Sequence, residues 1–292
     1  MKYKTLNNGI KMPMLGYGVF QTPPEQTEEC VSQALEVGYR LIDTAQAYDN
    51  EEGVGAAVRK SGIPREEVFI TSKIWVSNMN YVRAAASIDE SLKKLDTDYL
   101  DLMLLHQAMG DYPGAYRAME DAYRAGKIRA IGLSNFYPER LIDVCMLAEI
   151  TPAVNQIETH PFRQQDDAHE NMEKLGVVHE AWAPFAEAQN NIFDHPILAE
   201  IAENHNKSVG QVVLRALIQK DVVVIPKTVH RERMEENFDV FDFELTKEEL
   251  QKFAYVEDPQ FPKIFDHFDV NTVSWMLGDL VRKQQLNGEA LY

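Results

Sequence analysis

Short apolar runs alternate along this chain with longer amphipathic stretches, after a brief opening hairpin. Residues 3–6 and 10–14, joined by Asn7-Asn8-Gly9, predict that hairpin, because Asn-Gly supplies the positive-φ turn that matches twisted strands. Residues 16–20 predict a first barrel-type strand. A polar loop through Pro23 and Pro24 follows, then a helix over 25–37 that Gly38 ends. Residues 40–43 form a second strand, and the helix over 51–61 has Gly62 and Pro64 behind it as stops. Further strands are expected at 68–71, 99–105, 130–134, 153–156, 177–181 and 222–225. Helices are expected at 81–95, 115–125, 138–147 and 167–175, with a longer helical region at 196–219.

Eight strands, each followed by helix, imply a parallel sheet, and eight such units close most naturally into a (β/α)8 TIM barrel. No linker or repeat divides the chain, so residues 1–292 are read as one α/β domain. An open doubly wound sheet would have fewer strands and a glycine-rich first turn. From Asp242 onward the chain is expected to pack back as an acidic helix at 246–255 and an extended C-terminal tail containing Pro259 and Pro262.

Composition narrows the function. Hydrophobic residues make up 45% of the chain, enough for a large core. A net charge of −17 argues against nucleic acid, whose phosphates need a basic face, and leaves any anionic ligand dependent on a local cation cluster. No apolar run is long enough for a membrane span, and the first residues lack the apolar core of a signal peptide, so a cytoplasmic location is the expectation. Cys30 and Cys145 have no metal-ligand spacing and read as reduced structural thiols. Nothing in the sequence demands more than a monomer.

The candidate chemistry sits at strand ends, where parallel α/β proteins place their ligands. Leu41-Ile42 delivers Asp43, with Tyr48 five residues on; Val68-Phe69-Ile70-Thr71-Ser72 delivers Lys73; Leu100-Asp101-Leu102-Met103-Leu104-Leu105 delivers His106. An isolated phenol with a pKa of about 10 is a poor acid, and a nearby ammonium is expected to lower it. Tyr48 is then the general acid, Lys73 its tuner and Asp43 the anchor of Lys73, while His106 orients a carbonyl oxygen. A single strand-end Asp, Lys or His is more often a rim salt bridge than a catalyst; it is the combination that reverses those odds. No cysteine or activated serine is placed to attack a carbonyl carbon, which makes hydride from a nicotinamide the economical choice.

Other signals carry less. Gly53-Val54-Gly55 lies in a helix without a preceding strand or third glycine, so helix packing explains it. Tyr123 and Lys127 have a short-chain dehydrogenase spacing, but Gly126 ends the helix between them. His160, His169 and His179 lack metal spacing, and Asp266-His267 reads as surface hydrogen bonding.

Asp43-Thr44-Ala45 with Tyr48, Ile70-Thr71-Ser72-Lys73-Ile74-Trp75, Gly126-Lys127-Ile128-Arg129-Ala130-Ile131-Gly132-Leu133-Ser134-Asn135-Phe136, Asn155-Gln156-Ile157-Glu158 and Ile225-Pro226-Lys227-Thr228 form a specific set. With these blocks the chain resembles the aldo-keto reductases over residues 11–276. The resemblance implies a (β/α)8 barrel that reduces aldehydes and ketones, small carbonyl substrates, with NADPH. Its catalytic tetrad matches Asp43, Tyr48, Lys73 and His106. Its nicotinamide-amide ligands match Ser134, Asn135 and Gln156, and the stacking aromatic, usually tyrosine, is Trp182 here. Its 2′-phosphate and adenine ligands match Lys227, Thr228, Arg233, Glu236 and Asn237. Helix N-termini favour phosphate, although ordinary salt bridges from the cations to Glu235 or Glu236 are the alternative. Phe20 and Trp75 are candidates for an apolar substrate wall.

Departures from the family pattern also appear. Gln107-Ala108-Met109 stands where Trp-Pro is common after the histidine, which predicts a more polar substrate mouth at Gln107. Beyond Pro184-Phe185 the family's usual glycine is missing and Glu187 follows, which would weaken NADPH binding by repulsion if it lies near the pyrophosphate, and residues 281–292 match nothing assignable. The alternative function is an NADPH-binding barrel that acts as a redox sensor or scaffold with negligible turnover, against which the intact tetrad argues.

Overall fold

A computed structural model describes the backbone of residues 1–286 and the side chains of residues 1–278. The opening hairpin pairs β1 (Tyr3–Thr5) with β2 (Lys11–Pro13) antiparallel, and Gly9 supplies the turn at φ 86°. Eight parallel strands follow in chain order: β3 (Tyr17–Gly18), β4 (Leu41–Asp43), β5 (Phe69–Ile74), β6 (Leu102–Leu105), β7 (Ile131–Ser134), β8 (Val154–Glu158), β9 (Val178–Trp182) and β10 (Val223–Val224). The sheet closes between its two ends. Gly16 N donates to Val224 O at 2.8 Å, Val224 N to Met14 O at 3.0 Å and Gly18 N to Pro226 O at 3.1 Å. The expected barrel is therefore present.

Alternation along each strand sorts the core into two layers. Leu41, Phe69, Leu102, Leu104, Val154, Val178 and Val223 point inward and pack together with Leu6 and Met12 of the hairpin. Asn7 and Asn8 bond to the carbonyls of Pro152 and Arg129, just before β8 and β7, so the hairpin plugs the amino-terminal end of the barrel. Ile42, Ile70, Met103, Leu105, Ile131, Ile157 and Val224 point outward, in one cluster with helical residues such as Val31, Ile88 and Met119. Two steps further along a strand the inward face turns polar, at Asp43, Gln156 and Glu180. Period two thus gathers polar groups above an apolar plug.

Close strand packing needs Gly132. A Cβ there would lie 2.6 Å from Val154 O and 2.8 Å from a Leu104 methyl. Gly55 has a similar role between α2 (Glu51–Lys60) and α3 (Tyr81–Leu95), since its Cβ would strike Leu95 O at 2.2 Å. Helix packing is thus the right account of the Gly53-Val54-Gly55 run. Tyr123 and Lys127 flank the end of α4 (Tyr112–Arg124), and Lys127 pairs with Asp89 at 2.5 Å.

Three expectations need correction. The region 196–219 is two helices, α7 (Pro196–His205) and α8 (Val209–Gln219), after α5 (Pro138–Leu147) and α6 (Asp166–Lys174). Asn206 at φ 51° ends the first, and a Ser208–Gln211 capping box starts the second. Helix α4 begins at Tyr112 instead of 115, because Asp111 accepts from Gly114 N at 2.9 Å and Pro113 suits the first turn. The tail is not extended throughout. Beyond α9 (Arg231–Phe238) and the capped acidic helix α10 (Lys247–Ala254) it forms α11 (Val270–Leu286), where Asp269 accepts from Thr272 N at 2.7 Å. Pro259 and Pro262 obscured a helix that starts only after them. Of the unassigned stretch 281–292, residues 287–292 lie outside the described residues.

Gly132→Ala should cost about 1–3 kcal/mol, since backbone oxygen on β8 cannot rotate away. A lower urea midpoint at unchanged slope is the expected result, and an unaltered midpoint would show that the sheet yields there.

Candidate active site

Asp43 and Lys73 meet at the carboxyl end of the barrel. Lys73 Nζ donates to Asp43 Oδ1 at 2.5 Å and to Thr44 O at 3.1 Å, and lies 3.4 Å from the Tyr48 hydroxyl. The two charged side chains are 0% and 3% exposed. Tyr48 arrives on a single 3-10 turn, Gln46–Tyr48, which Asp49 ends at φ 54°. Asn50 locks the approach: it accepts from Thr44 Oγ1 at 2.7 Å and donates to Val19 O at 3.0 Å. His106 follows β6 directly, tied by its N–H to Ile74 O at 3.0 Å. Its ring stands edge-on to Tyr48 and Trp75, at 5.6 and 5.0 Å between centroids. The four predicted residues therefore form one cluster.

The electrostatics differ from the simplest expectation. Burial pushes the Tyr48 phenol above its ordinary value; Lys73 pulls it down, and Asp43 pushes it up. Lys73 opposes the burial without overcoming it, so the phenol is not acidified in the open cleft. Burial alone would lower Lys73, yet Asp43 and Tyr48 raise it on balance, which keeps it an ammonium. Burial, helped by Lys73 and His267, holds His106 well below the usual imidazole range, so it is neutral.

A continuous cleft of about 1000 Å³ runs from this cluster to the start of α9. Ser134, Asn135, Gln156 and Trp182 line its middle; Lys227, Thr228, Arg233, Glu236 and Asn237 line its far end. Asn135 donates to His106 O at 3.0 Å and accepts from Trp182 Nε1 at 2.9 Å, which fixes the indole against the cleft. Gln156 Nε2 donates to Asp43 Oδ2 and to Glu180 Oε2, both at 2.9 Å. Tyr17 donates its hydroxyl to Thr228 O at 2.5 Å, holding that strand exit in place.

At the far end, the ordinary salt bridges to Glu235 or Glu236 are not formed by the two cations. Lys227 and Arg233 are exposed and make no ion pair among the described residues. Glu235 is taken instead by Arg231 at 3.1 Å, and Glu236 accepts from Ser208 at 2.5 Å. Two cations beside the start of α9, Lys227 in the segment before it and Arg233 in its first turn, suit a phosphate, and the indole, amides and hydroxyl between them and Tyr48 suit a dinucleotide. The residues present thus fit NADP(H). Glu187 lines the same cleft, in a loop where Ala183, Ala186, Glu187, Ala188, Asn190 and Asn191 all take positive φ.

On the substrate side, Phe20 packs on Tyr48 with ring centroids 5.0 Å apart. Gln46 Oε1 accepts from Trp75 N at 3.1 Å and so positions the indole. Gln107 lines the cleft but is only 5% exposed, and its Oε1 meets His267 Nε2 at 2.7 Å. The tail histidine is therefore a half-buried partner of a cleft residue and not a surface group. The tail is anchored behind it, where Glu158 accepts from Ile264 N at 3.2 Å and from His160 at 3.0 Å. His169 and His179 contact each other beneath α6.

Glu158, Glu180 and His267 were missed as site residues. The signal for Glu180 was available, because Val178, Glu180 and Trp182 share one strand face by period two. His267 gave none, since its place depends on where the tail returns.

The family model described as the Aldo/keto reductase family matches residues 14–258. Glyoxal reductase of Bacillus subtilis (strain 168) is 46% identical over 249 residues, which is 85% of this chain and 90% of the relative. An aldo-keto reductase from a Medee basin deep-sea metagenome library superimposes with a TM-score of 0.89 at 41% identity, covering 91% of this chain and 98% of that one. The aldo-keto reductase of Bombyx mori in complex with NADP has a TM-score of 0.86 at 31% identity, covering 91% and 95%.

Native His106 should stay unprotonated as the pH falls through about 6.5, where histidines of the unfolded chain titrate. The unfolded state then binds a proton that the native state refuses, so stability falls on acidification, by up to about 1.4 kcal/mol per pH unit for this group. Imidazole NMR shifts of the folded protein check it; a midpoint near the ordinary value would show that the ring is solvated.

Proposed function

The chain belongs to the aldo/keto reductase family, and on that premise we propose that it reduces small aldehydes and ketones to alcohols with NADPH, Tyr48 supplying the proton. It is an oxidoreductase acting on carbonyl groups. The observation that carries the finer reading is the Tyr48 hydroxyl 3.4 Å from a buried ammonium, at the inner end of a cleft with free cations at its outer end.

When bound, the nicotinamide supplies hydride to the carbonyl carbon. The chain manages the oxygen. Neutral His106 can donate a hydrogen bond to the carbonyl oxygen and turn it toward Tyr48. As negative charge develops there, the phenol proton moves to it, and the resulting phenolate lies beside Lys73. The ammonium is worth more to that phenolate than to the resting phenol, so its stabilisation is concentrated in the transition state. Asp43 keeps Lys73 charged and in place, and water refills the Tyr48 proton through the cleft mouth.

Lys227 and Arg233 are assigned to the 2′-phosphate, with Thr228, Glu236 and Asn237 around the adenine end. Ser134, Asn135 and Gln156 would hold the nicotinamide amide, and Trp182 would stack on its ring. Phe20 and Trp75 give the substrate an apolar wall, and Gln107 with His267 a polar edge. The glyoxal reductase relative supports short carbonyl compounds, dicarbonyls among them, as substrates.

Tyr48→Phe should lower carbonyl reduction by about 10²–10⁴-fold while NADPH still quenches protein fluorescence on binding. Retained activity would remove Tyr48 as the acid. Replacing Lys227 and Arg233 together by alanine forfeits charged hydrogen bonds of about 1.5–3 kcal/mol each, so the Kd for NADPH should rise about a hundredfold or more. The Kd for NADH should change little; equal losses for both cofactors would place the phosphate elsewhere.

A further inference from the structure

The line of polar contacts that reaches Tyr48 does not begin at Asp43. It starts one strand deeper, at Glu180 on β9. Glu180 is 0% exposed, and its Oε2 accepts from Gln156 Nε2 at 2.9 Å. The same nitrogen donates its other proton to Asp43 Oδ2 at 2.9 Å. The sequence Glu180–Gln156–Asp43–Lys73–Tyr48 is therefore continuous through the barrel centre. Glu180 Oε1 has no hydrogen-bond partner among the described residues. A buried polar atom left in that condition calls for a reason beyond packing.

The charge count supplies one. The groups facing Glu180 are Asp43 from β4 and Lys73 from β5; β8 contributes the uncharged Gln156, and β10 the apolar Val223. Two buried carboxyls thus share one buried ammonium. Asp43 holds that ammonium directly, at 2.5 Å, whereas Glu180 has only an amide. A second, uncompensated carboxylate would cost several kcal/mol in this setting, so the proton stays on Glu180. We propose, on the reading of the site as an NADPH-dependent carbonyl reductase, that Glu180 is a positioning residue whose ionisation state sets the alkaline limit of the reaction through Gln156 and Asp43. In support, burial and Asp43 push its carboxyl up to about 8.

The consequence for the reaction has a definite sign. While Glu180 is neutral, Lys73 answers to one carboxylate and can favour the Tyr48 phenolate. Once Glu180 ionises, a second negative charge joins Asp43, the pull of Lys73 on the phenol weakens, and Tyr48 becomes a poorer proton donor. Reduction should therefore fade above pH about 8, before the phenol itself titrates. Neutral Glu180 also holds the Gln156 amide in one orientation, leaving its oxygen toward the cleft.

The experiment compares the full chain with Glu180→Gln, which mimics the neutral acid, and Glu180→Leu, which removes the partner of Gln156. Three readouts are taken: the pH profile of kcat for reduction of a short aldehyde, the Kd for NADPH, and the infrared difference spectrum across pH about 8. One unit above that pH the wild type should have lost about tenfold in kcat, a loss absent from Glu180→Gln. Glu180→Leu should also lack the limb but bind NADPH more weakly. The wild type should lose a protonated-carboxyl band across the transition, and Glu180→Gln should show none. An alkaline limb unchanged in Glu180→Gln overturns the proposal. A chain that reduces no carbonyl overturns the functional reading instead; the infrared band then decides on Glu180, and its absence overturns the buried proton as well.

Discussion

The buried ion pair between Asp43 and Lys73 is the constraint from which the rest of the site follows. Taking two charges out of water costs several kcal/mol per ion, and attraction at 2.5 Å repays it only if the remaining donors and acceptors are also matched. They are matched here. Lys73 spends its other protons on Thr44 O and the Tyr48 hydroxyl, and Asp43 accepts from Gln156. Each partner is thereby fixed at a set distance from the ammonium. Losing one of them would leave a buried charge uncompensated, so the arrangement tolerates little drift.

The fold meets this demand through register. Asp43 pairs with Thr71 across β4 and β5, and Lys73 stands two residues further along, on the same inward face. A slip of one residue would turn the lysine out among the helices and put Ser72 in its place. Below the pair, the apolar plug of Leu41, Phe69, Leu104 and Val178 sealed by Leu6 and Met12 keeps water from the underside. The polar groups can then meet only one another or whatever enters from the cleft. In a chain of net charge −17, Lys227 and Arg233 stand exposed and without an ion pair among the described residues at the other end of that cleft, a local cation cluster open to an anion.

Much of this was legible in the residue order. Strand and helix alternation gave the barrel, because each parallel strand reads as a short apolar run and each helix carries its own stop. Strand ends gave Asp43, Lys73 and His106, since the inward face must turn polar where the apolar plug ends. Three kinds of feature were not legible. The break at Asn206 hides in an unbroken amphipathic pattern and shows only through the Ser208–Gln211 box. The return of His267 to Gln107 depends on tertiary docking of the tail through Glu158, which no local signal encodes. The net direction of the Tyr48 shift depends on how much burial opposes Lys73, and burial is a property of the assembled cleft.

The wall of the cleft obeys a different rule from its floor. Ala183, Ala186, Glu187, Ala188, Asn190 and Asn191 sit at positive φ, which the alanine and glutamate side chains disfavour and asparagine tolerates. Such conformers cost of order 1 kcal/mol each and persist only where the surroundings over-determine them. Next to a floor held by matched charges, a strained wall is the element with conformational energy to release. On the proposed reading, the floor sets where the reacting oxygen goes, while the loop after β9 and the tail that carries His267 shape what enters. That division leaves room for Gln107 and Glu187, two residues foreign to the family pattern. Both line the cleft wall, and Glu187 reaches the floor through its charge, which adds to the upward push on the Tyr48 phenol.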